Sequence, residues 1–385
     1  MINGFSGTIH GLRVWESPWL EISQYVVVAV GHFAWHFGRR VFFEFDDFAE
    51  WFVVYHAFFF VHFMPITVRF FGSILCNFYP STFNKVCVHV CKTDVGLVQT
   101  SVFSHDVAAT LRELDEYFPL SDAYVDDLAS KISGCQLVLC DVSALGVAVA
   151  KRAGMRSVLF ENFGWDWIYE SFLDEEPGFF DPIRRIEDLY EKVDLRIQTA
   201  PLCQRIEHLS MVPPVSRKPR RLGRETRDLL GVPDDKKLVL ISRGGNPDDF
   251  QFLQRLKQYQ EAIFLFAGGV PEMRHEDNLL FLPFKTEFFH PDLVHSADLV
   301  VGKAGYSMIA EIWASGTPFA YVLREGFRES PILGSFLNEK VPSQRINGHE
   351  FESGRWIHEL DSLLSLTAVK GRPNGALTSA RLILS

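Results

Sequence analysis

The residues with the most chemical content lie between Phe289 and Ser330, in the run FHPDLVHSADLVVGKAGYSMIAEIWASGTPFAYVLREGFRES. A short helix is expected to end near Ser296 and a buried strand to follow over Leu299 to Val301. Gly302-Lys303-Ala304-Gly305 then turns into a helix from Tyr306 to Ala314. Glycines at such a turn let backbone N–H groups and the positive end of the helix face an anion such as a diphosphate. Lys303 adds a formal charge there, and Tyr306 and Ser307 open the helix. Glu311 falls about one and a half turns in, where a carboxylate can accept two ribose hydroxyls. The next strand, Pro318 to Leu323, runs into the polar loop Arg324-Glu325-Gly326-Phe327-Arg328-Glu329, placed to meet a sugar. A second glycine pair, Gly244-Gly245, follows the strand Leu238 to Ile241.

Each of these has a plainer reading. Gly302 and Gly305 suit a tight strand–helix turn as well as a phosphate, and the lysine and the helix start beside them favour the phosphate. Without other support Glu311 is a solvated helix carboxylate and Gly244-Gly245 only a turn. In the N-terminal half, Trp165 and Trp167 flank Asp166, as either a packed corner between domains or a platform for an acceptor. His32 and His36 follow the apolar run Val26 to Val30 and are the candidate catalytic bases; histidines so placed are more often structural.

The elements that would position these groups alternate in kind. Helical spacing covers Val107 to Tyr117, Tyr124 to Ile132, Leu145 to Ala153 and Ile183 to Val193. Short apolar strands cover Leu137 to Cys140, which ends in Asp141, then Ser157 to Phe160 and Leu195 to Gln198. The Pro- and Arg-rich stretch Val212 to Leu222 reads as a solvated linker, including Arg217, Lys218, Arg220 and Arg221. The rhythm then restarts with Leu238 to Ile241, Phe250 to Tyr259, Ile263 to Ala267 and Leu279 to Leu282. Strand and helix in this alternation predict parallel sheets covered on both faces. The expected division is 1–210 for an N-terminal acceptor-side domain, 211–224 for a linker, 225–372 for a C-terminal donor domain and 373–385 for a terminal segment. Open sheets of this kind bind ligands at the carboxyl ends of their strands, so the site is expected in a cleft between the domains.

The first ninety residues depart from this pattern. Val26 to Val30 leads into Gly31-His32-Phe33-Ala34-Trp35-His36, where bulky residues stand in place of small ones. Residues 41–92 hold 13 Phe and a single glycine, Gly72, so residues 1–93 are expected to be the least regular part of the chain. The 18 uncharged residues between Glu50 and Arg69 just reach the length of a membrane span. Pro65, His56 and His62 within them and the lack of a basic flank argue for burial in protein instead.

A chain of 385 residues suits two domains. The net charge of −10 supplies no footprint for nucleic acid. Six cysteines without a CxxC pair or a histidine cluster at zinc spacing predict free thiols and no metal site, and the start lacks a signal-peptide pattern, so a cytoplasmic location is expected.

The segment 289–330 resembles the donor-binding region of GT-B glycosyltransferases of the family 28 type. It is more similar still to the glycosyltransferase-like domain of arabinokinases and related bacterial proteins, with a pattern GK-x-GY-x-x-x-x-E, then P-F, then F-x-E. Gly302, Lys303, Gly305, Tyr306, Glu311, Pro318, Phe319, Phe327 and Glu329 fit it. Asp94 to Gln99, Asn162 to Tyr169 and Pro373 to Ala376 also resemble that group, so the likeness covers roughly residues 94–385. It implies an α/β GT-B fold, two facing Rossmann-like domains, and a metal-independent transfer from a nucleotide-sugar donor of the UDP type to a hydroxyl acceptor, with no cofactor. Donor contacts are implied at Gly244, Gly245, Lys303, Gly305, Tyr306, Ser307, Glu311 and Glu329. The family's glycine-rich loop after the first strand is matched here only by Gly31, His32 and His36. A sugar-nucleotide epimerase or hydrolase is the alternative activity, and a non-catalytic nucleotide-sugar-binding protein the third reading, favoured by that altered loop.

Overall fold

A computed structural model describes residues 91–101, 104–242, 252–283 and 286–385, together with the backbone of three strands at 25–30, 67–72 and 85–90. Its strands, in chain order, are β1 (Tyr25–Val30), β2 (Thr67–Gly72), β3 (Lys85–Val90), β4 (Gln99–Ser101), β5 (Ser104–His105), β6 (Leu137–Asp141), β7 (Arg156–Glu161), β8 (Leu195–Thr199), β9 (Ser210–Val212), β10 (Lys237–Ser242), β11 (Ala262–Val270), β12 (Arg274–Glu276), β13 (Leu279–Pro283), β14 (Leu299–Lys303), β15 (Phe319–Val322) and β16 (Ser343–Ile346).

Two seven-stranded sheets result. The first runs β3-β2-β1-β6-β7-β8-β9 and is parallel throughout. The second runs β12-β13-β11-β10-β14-β15-β16, and β12 alone is antiparallel to its neighbour. In the second sheet Leu238 and Leu240 of β10 pack with Leu265 and Val300 on one face. Val239 and Ile241 pack with Phe264, Phe266 and Val301 on the other. Both faces are therefore dry, which is why these strands read as unbroken apolar runs rather than alternating ones.

Sheet order sets where a ligand can sit. In each sheet the first strand of the unit has its successor on one side and a later strand on the other. Val30 of β1 lies opposite Asp141 of β6, and Ser242 of β10 lies opposite Gly302 of β14. These are the topological switch points, where helices depart to opposite faces and leave a crevice at the strands' carboxyl ends.

Several expectations need correction. Gly302 and Lys303 belong to β14 rather than to the turn, which is Ala304-Gly305. The helix expected over Ile183 to Val193 starts earlier and spans Phe180–Tyr190. The one expected from Phe250 is described only over Leu253–Gln258. Within residues 1–93 three strands join the first sheet, the first of them over the apolar run Val26 to Val30. Thr67–Gly72, within the Phe-rich stretch, is one of them. Among the described residues no helix is long and apolar enough to cross a membrane. No disulfide joins the described cysteines Cys91, Cys135, Cys140 and Cys203.

The stretch read as a solvated linker is pinned instead. Arg217 is 4% exposed, and Arg220 stacks its guanidinium 3.9 Å over the Phe289 ring. The backbone N–H groups of Arg220 and Arg221 both donate to Asp292 Oδ1. The terminal helix Ala376–Leu384 returns to the first domain, where Arg156 donates to the Ile383 carbonyl at 2.6 Å.

Candidate functional site

The second switch point holds a cationic, partly enclosed group. β14 ends at Lys303, and Gly305 is the N-cap of the helix Tyr306–Ser315 with no side chain capping it. The two glycines do different work. A Cβ on Gly302 would run into the Ser242 carbonyl of the neighbouring strand, so that glycine serves strand packing. Gly305 has an extended backbone (φ −139°, ψ 158°) and open space where a Cβ would stand, so the fold does not demand a glycine there. Burial, then the nearby Arg324 charge, pushes the Lys303 ammonium down to about 8 against the opposing pull of Glu329. A bound anion would offset both, because an opposite charge nearby favours the ammonium form.

Around Lys303 stand the residues of the loop after β15. Arg324 donates to Glu329 Oε1 at 2.6 Å and lies 3.7 Å over the Phe327 ring. Glu329 caps the helix Ser330–Lys340 and is 5% exposed. Tyr306 turns toward the first domain: its hydroxyl is 3.0 Å from Cys203 Sγ and its ring 5.5 Å from that of Phe163. Ser307 lies in the first helical turn, partly exposed.

Glu311 does not stand in solvent. It is 3% exposed, with Oε1 2.8 Å from Arg217 and Oε2 2.7 Å from His290 Nδ1. Burial alone would raise its carboxyl, but His290 and Arg217 outweigh that and hold it at about 2. The sequence offered no signal for this, because Arg217 lies 94 positions away.

The first switch point presents Asp141. It ends β6 beside the last residue of β1, and burial pushes its carboxyl up to about 7. The next residue, Val142, has φ 54°, an uncommon conformation for a β-branched side chain. Tyr190 and Phe160 hold it there: the Tyr190 hydroxyl donates to the Val142 carbonyl at 2.7 Å, and the Val142 amide donates to the Phe160 carbonyl. Strain kept in place by surrounding structure is a recurrent feature of functional turns. Asp141 stood at a strand end in the sequence, and what identified it was the pairing of β1 with β6.

The Trp165-Asp166-Trp167 element is a packed corner. Trp165 stacks on Tyr169 at 5.6 Å and meets Phe163 edge-on at 5.1 Å. Arg328 reaches across from the second domain, lies 4.2 Å over the Trp167 ring, donates to its carbonyl and pairs with Glu170 at 2.8 Å. Of the residues singled out from the sequence, Lys303, Gly305, Tyr306, Ser307 and Glu329 come together on the cleft side of the second domain. Glu311 lies one helical segment deeper. His32, His36, Gly244 and Gly245 lie outside the described residues. Among the described residues no group of three or more His, Cys, Asp or Glu side chains could hold a metal ion.

Two parallel α/β sheets meeting at their carboxyl ends, with the terminal helix crossing back, define the GT-B glycosyltransferase fold. The chain is similar to Arabidopsis thaliana UGT89C1 in complex with quercetin (TM-score 0.56, 13% identity, 93% of this chain and 98% of that one). It is also similar to the calicheamicin glycosyltransferase CalG4 (TM-score 0.54, 13% identity, 94% of each chain). A third neighbour is Phytolacca americana UGT2 complexed with UDP-2-fluoro-glucose and pterostilbene (TM-score 0.54, 11% identity, 94% of each chain). In sequence it is 25% identical to the L-arabinokinase of Arabidopsis thaliana over 300 residues, which is 75% of this chain and 28% of that protein. The chain thus spans little more than a quarter of that relative's length. No family model matches it.

Proposed function

We propose that this chain binds a uridine diphosphate sugar and transfers the sugar to a hydroxyl acceptor without a metal ion. The observation that carries this reading is the juxtaposition of Lys303, the uncapped helix start at Tyr306 and the open position at Gly305, all at the switch point of the second sheet. A diphosphate leaving group carries charge that must be met as the glycosidic bond breaks. Preorganised N–H groups and an ammonium supply that stabilisation without a metal. Gly244 and Gly245, which follow β10, are proposed to bring further backbone N–H groups to the phosphates. Glu329 accepts from sugar hydroxyls. Glu311 first holds Arg217 and His290, and it contacts ribose by sharing oxygens already bonded to them.

The acceptor hydroxyl needs a base near neutral pKa. Asp141, at about 7 and at the switch point of the first sheet, is proposed for that role, acting directly or through His32 or His36. Solved relatives with UDP or a UDP-sugar bound support the donor class. Calorimetry of the full chain with UDP and a panel of UDP-sugars, in the presence and absence of EDTA, tests the reading. Binding that survives EDTA, with donor turnover that rises when hydroxyl acceptors are added, is the expected result. Turnover indifferent to acceptor would mark a hydrolase or epimerase, and binding with no turnover a non-catalytic receptor. Failure to bind any nucleotide would refute the reading.

A further inference from the structure

Among the described residues two buried polar atoms, one on each domain, lack a hydrogen-bond partner at the same corner of the cleft: His105 Nδ1 and Glu329 Oε2. His105 ends β5 in the first domain, and its ring meets Phe327 edge-on at 4.8 Å and Phe172 at 5.3 Å. Phe327 in turn carries Arg324, which binds the other oxygen of Glu329. A continuous set of contacts therefore links the histidine to the carboxylate across the cleft. Buried polar atoms are rarely left unpaired, and in a cleft the missing partner is often a ligand.

The two atoms define what that ligand offers. Glu329 Oε2 is a carboxylate oxygen and accepts only, so an anionic group is repelled and a hydroxyl or N–H is favoured. Burial, then Arg324, lowers the His105 pKa against the pull of Glu329, Glu175 and Asp106, so at neutral pH the ring is uncharged. A neutral imidazole has one donor and one acceptor nitrogen. Adjacent hydroxyls, each both donor and acceptor, satisfy such a pair, whereas a phosphate or a purely apolar group does not.

We propose that His105 is a specificity-determining residue for the sugar, its Nδ1 and Glu329 Oε2 taking two hydroxyls of one polyhydroxyl ring carried by the donor. This rests on the nucleotide-sugar reading above. It places a first-domain residue in the sugar subsite, so sugar recognition requires both domains, whereas nucleotide recognition requires the second alone.

Calorimetry with UDP, UDP-glucose, UDP-galactose and UDP-xylose on the full-length protein separates the two. His105→Phe keeps an aromatic ring between Phe172 and Phe327 and removes the nitrogens. It is expected to leave UDP affinity within twofold and to reduce the extra affinity of the preferred UDP-sugar by roughly tenfold, the loss of one hydrogen bond. His105→Asn, which restores a polar atom near the Nδ1 position, is expected to recover most of that. Should the Phe variant not fold, His105→Leu takes its place. An unchanged sugar contribution in the variant, or an equal loss for UDP and UDP-sugar, overturns the inference. So does a wild-type protein that binds UDP and every UDP-sugar alike, although the nucleotide reading then stands. A wild-type protein that binds no nucleotide removes both.

Discussion

Arg217, in the segment that joins the two sheets, is 2.8 Å from Glu311 on the helix whose start faces the cleft, and both side chains are almost wholly buried. The connection between domains is thereby tied to the helix that starts at the switch point of the second sheet. His290, on the helix His290–Ser296, completes the arrangement from the other carboxylate oxygen.

Glu311→Gln leaves a buried arginine without its counter-charge. Breaking such a pair costs about 3–5 kcal/mol, so the melting temperature is expected to fall sharply. The ionisation has a defined sign. The carboxyl is lowered to about 2 in the folded chain, from 4.5, so its stabilisation is complete above pH 4.5 and is lost as pH falls toward 2. Denaturation of wild type and variant at pH 7 and pH 3 measures it: the difference should shrink at the lower pH. A variant as stable as wild type, yet poor in UDP binding, would assign Glu311 to ribose alone.

Gly305→Ala is expected to fold with an unchanged melting temperature, because nothing lies where its Cβ would point. It should nevertheless weaken UDP binding, since that space is where a phosphate would approach the helix start. Gly302→Ala is the contrasting case and should destabilise the sheet through the Ser242 carbonyl. Equal UDP affinity in Gly305→Ala and wild type would place the phosphates elsewhere.

Lys303, at about 8, discharges as pH rises through that value, so UDP affinity of the wild type should decline between pH 7 and 9.5. Lys303→Met should bind roughly 10–100-fold more weakly at pH 7, the worth of a hydrogen bond to a charged group, and show a flatter pH profile. Folding stability moves the other way. The unfolded lysine keeps its proton to 10.5, so this group's unfavourable contribution fades as pH climbs from 8 to 10.5. A wild-type affinity independent of pH over that range would exclude Lys303 from the phosphate site.

Asp141 is raised from 3.8 to about 7, so its contribution favours the folded state below pH 3.8 and is lost as pH rises through 7. Asp141→Asn should therefore raise the melting temperature at pH 8 and change it little at pH 4. If Asp141 is the base, the same variant should lose transfer by roughly 100-fold or more with UDP affinity intact. Transfer at the wild-type rate would return the role to His32 or His36.

Much of the architecture was legible in the chain. The strands from Leu137 to Thr199 and from Lys237 to Val322 announce themselves as short apolar runs because both sheet faces are buried. Lys303, Gly305 and Tyr306 stand together because a strand, a glycine and a helix start are neighbours in sequence, so local pattern suffices to place them. Other features depend on pairings between distant segments, and no local pattern encodes those. That Asp141 stands beside the end of β1 follows from sheet order, with more than a hundred residues between the two strands. The basic run near Arg217 looks solvated in isolation, yet Glu311 and Phe289 arrive from far along the chain to bury its first arginine and stack its second. His105 drew no notice in a two-residue strand. It stands out because folding sets it against Phe327 and leaves its Nδ1, like Glu329 Oε2 at the same corner, without a hydrogen-bond partner among the described residues.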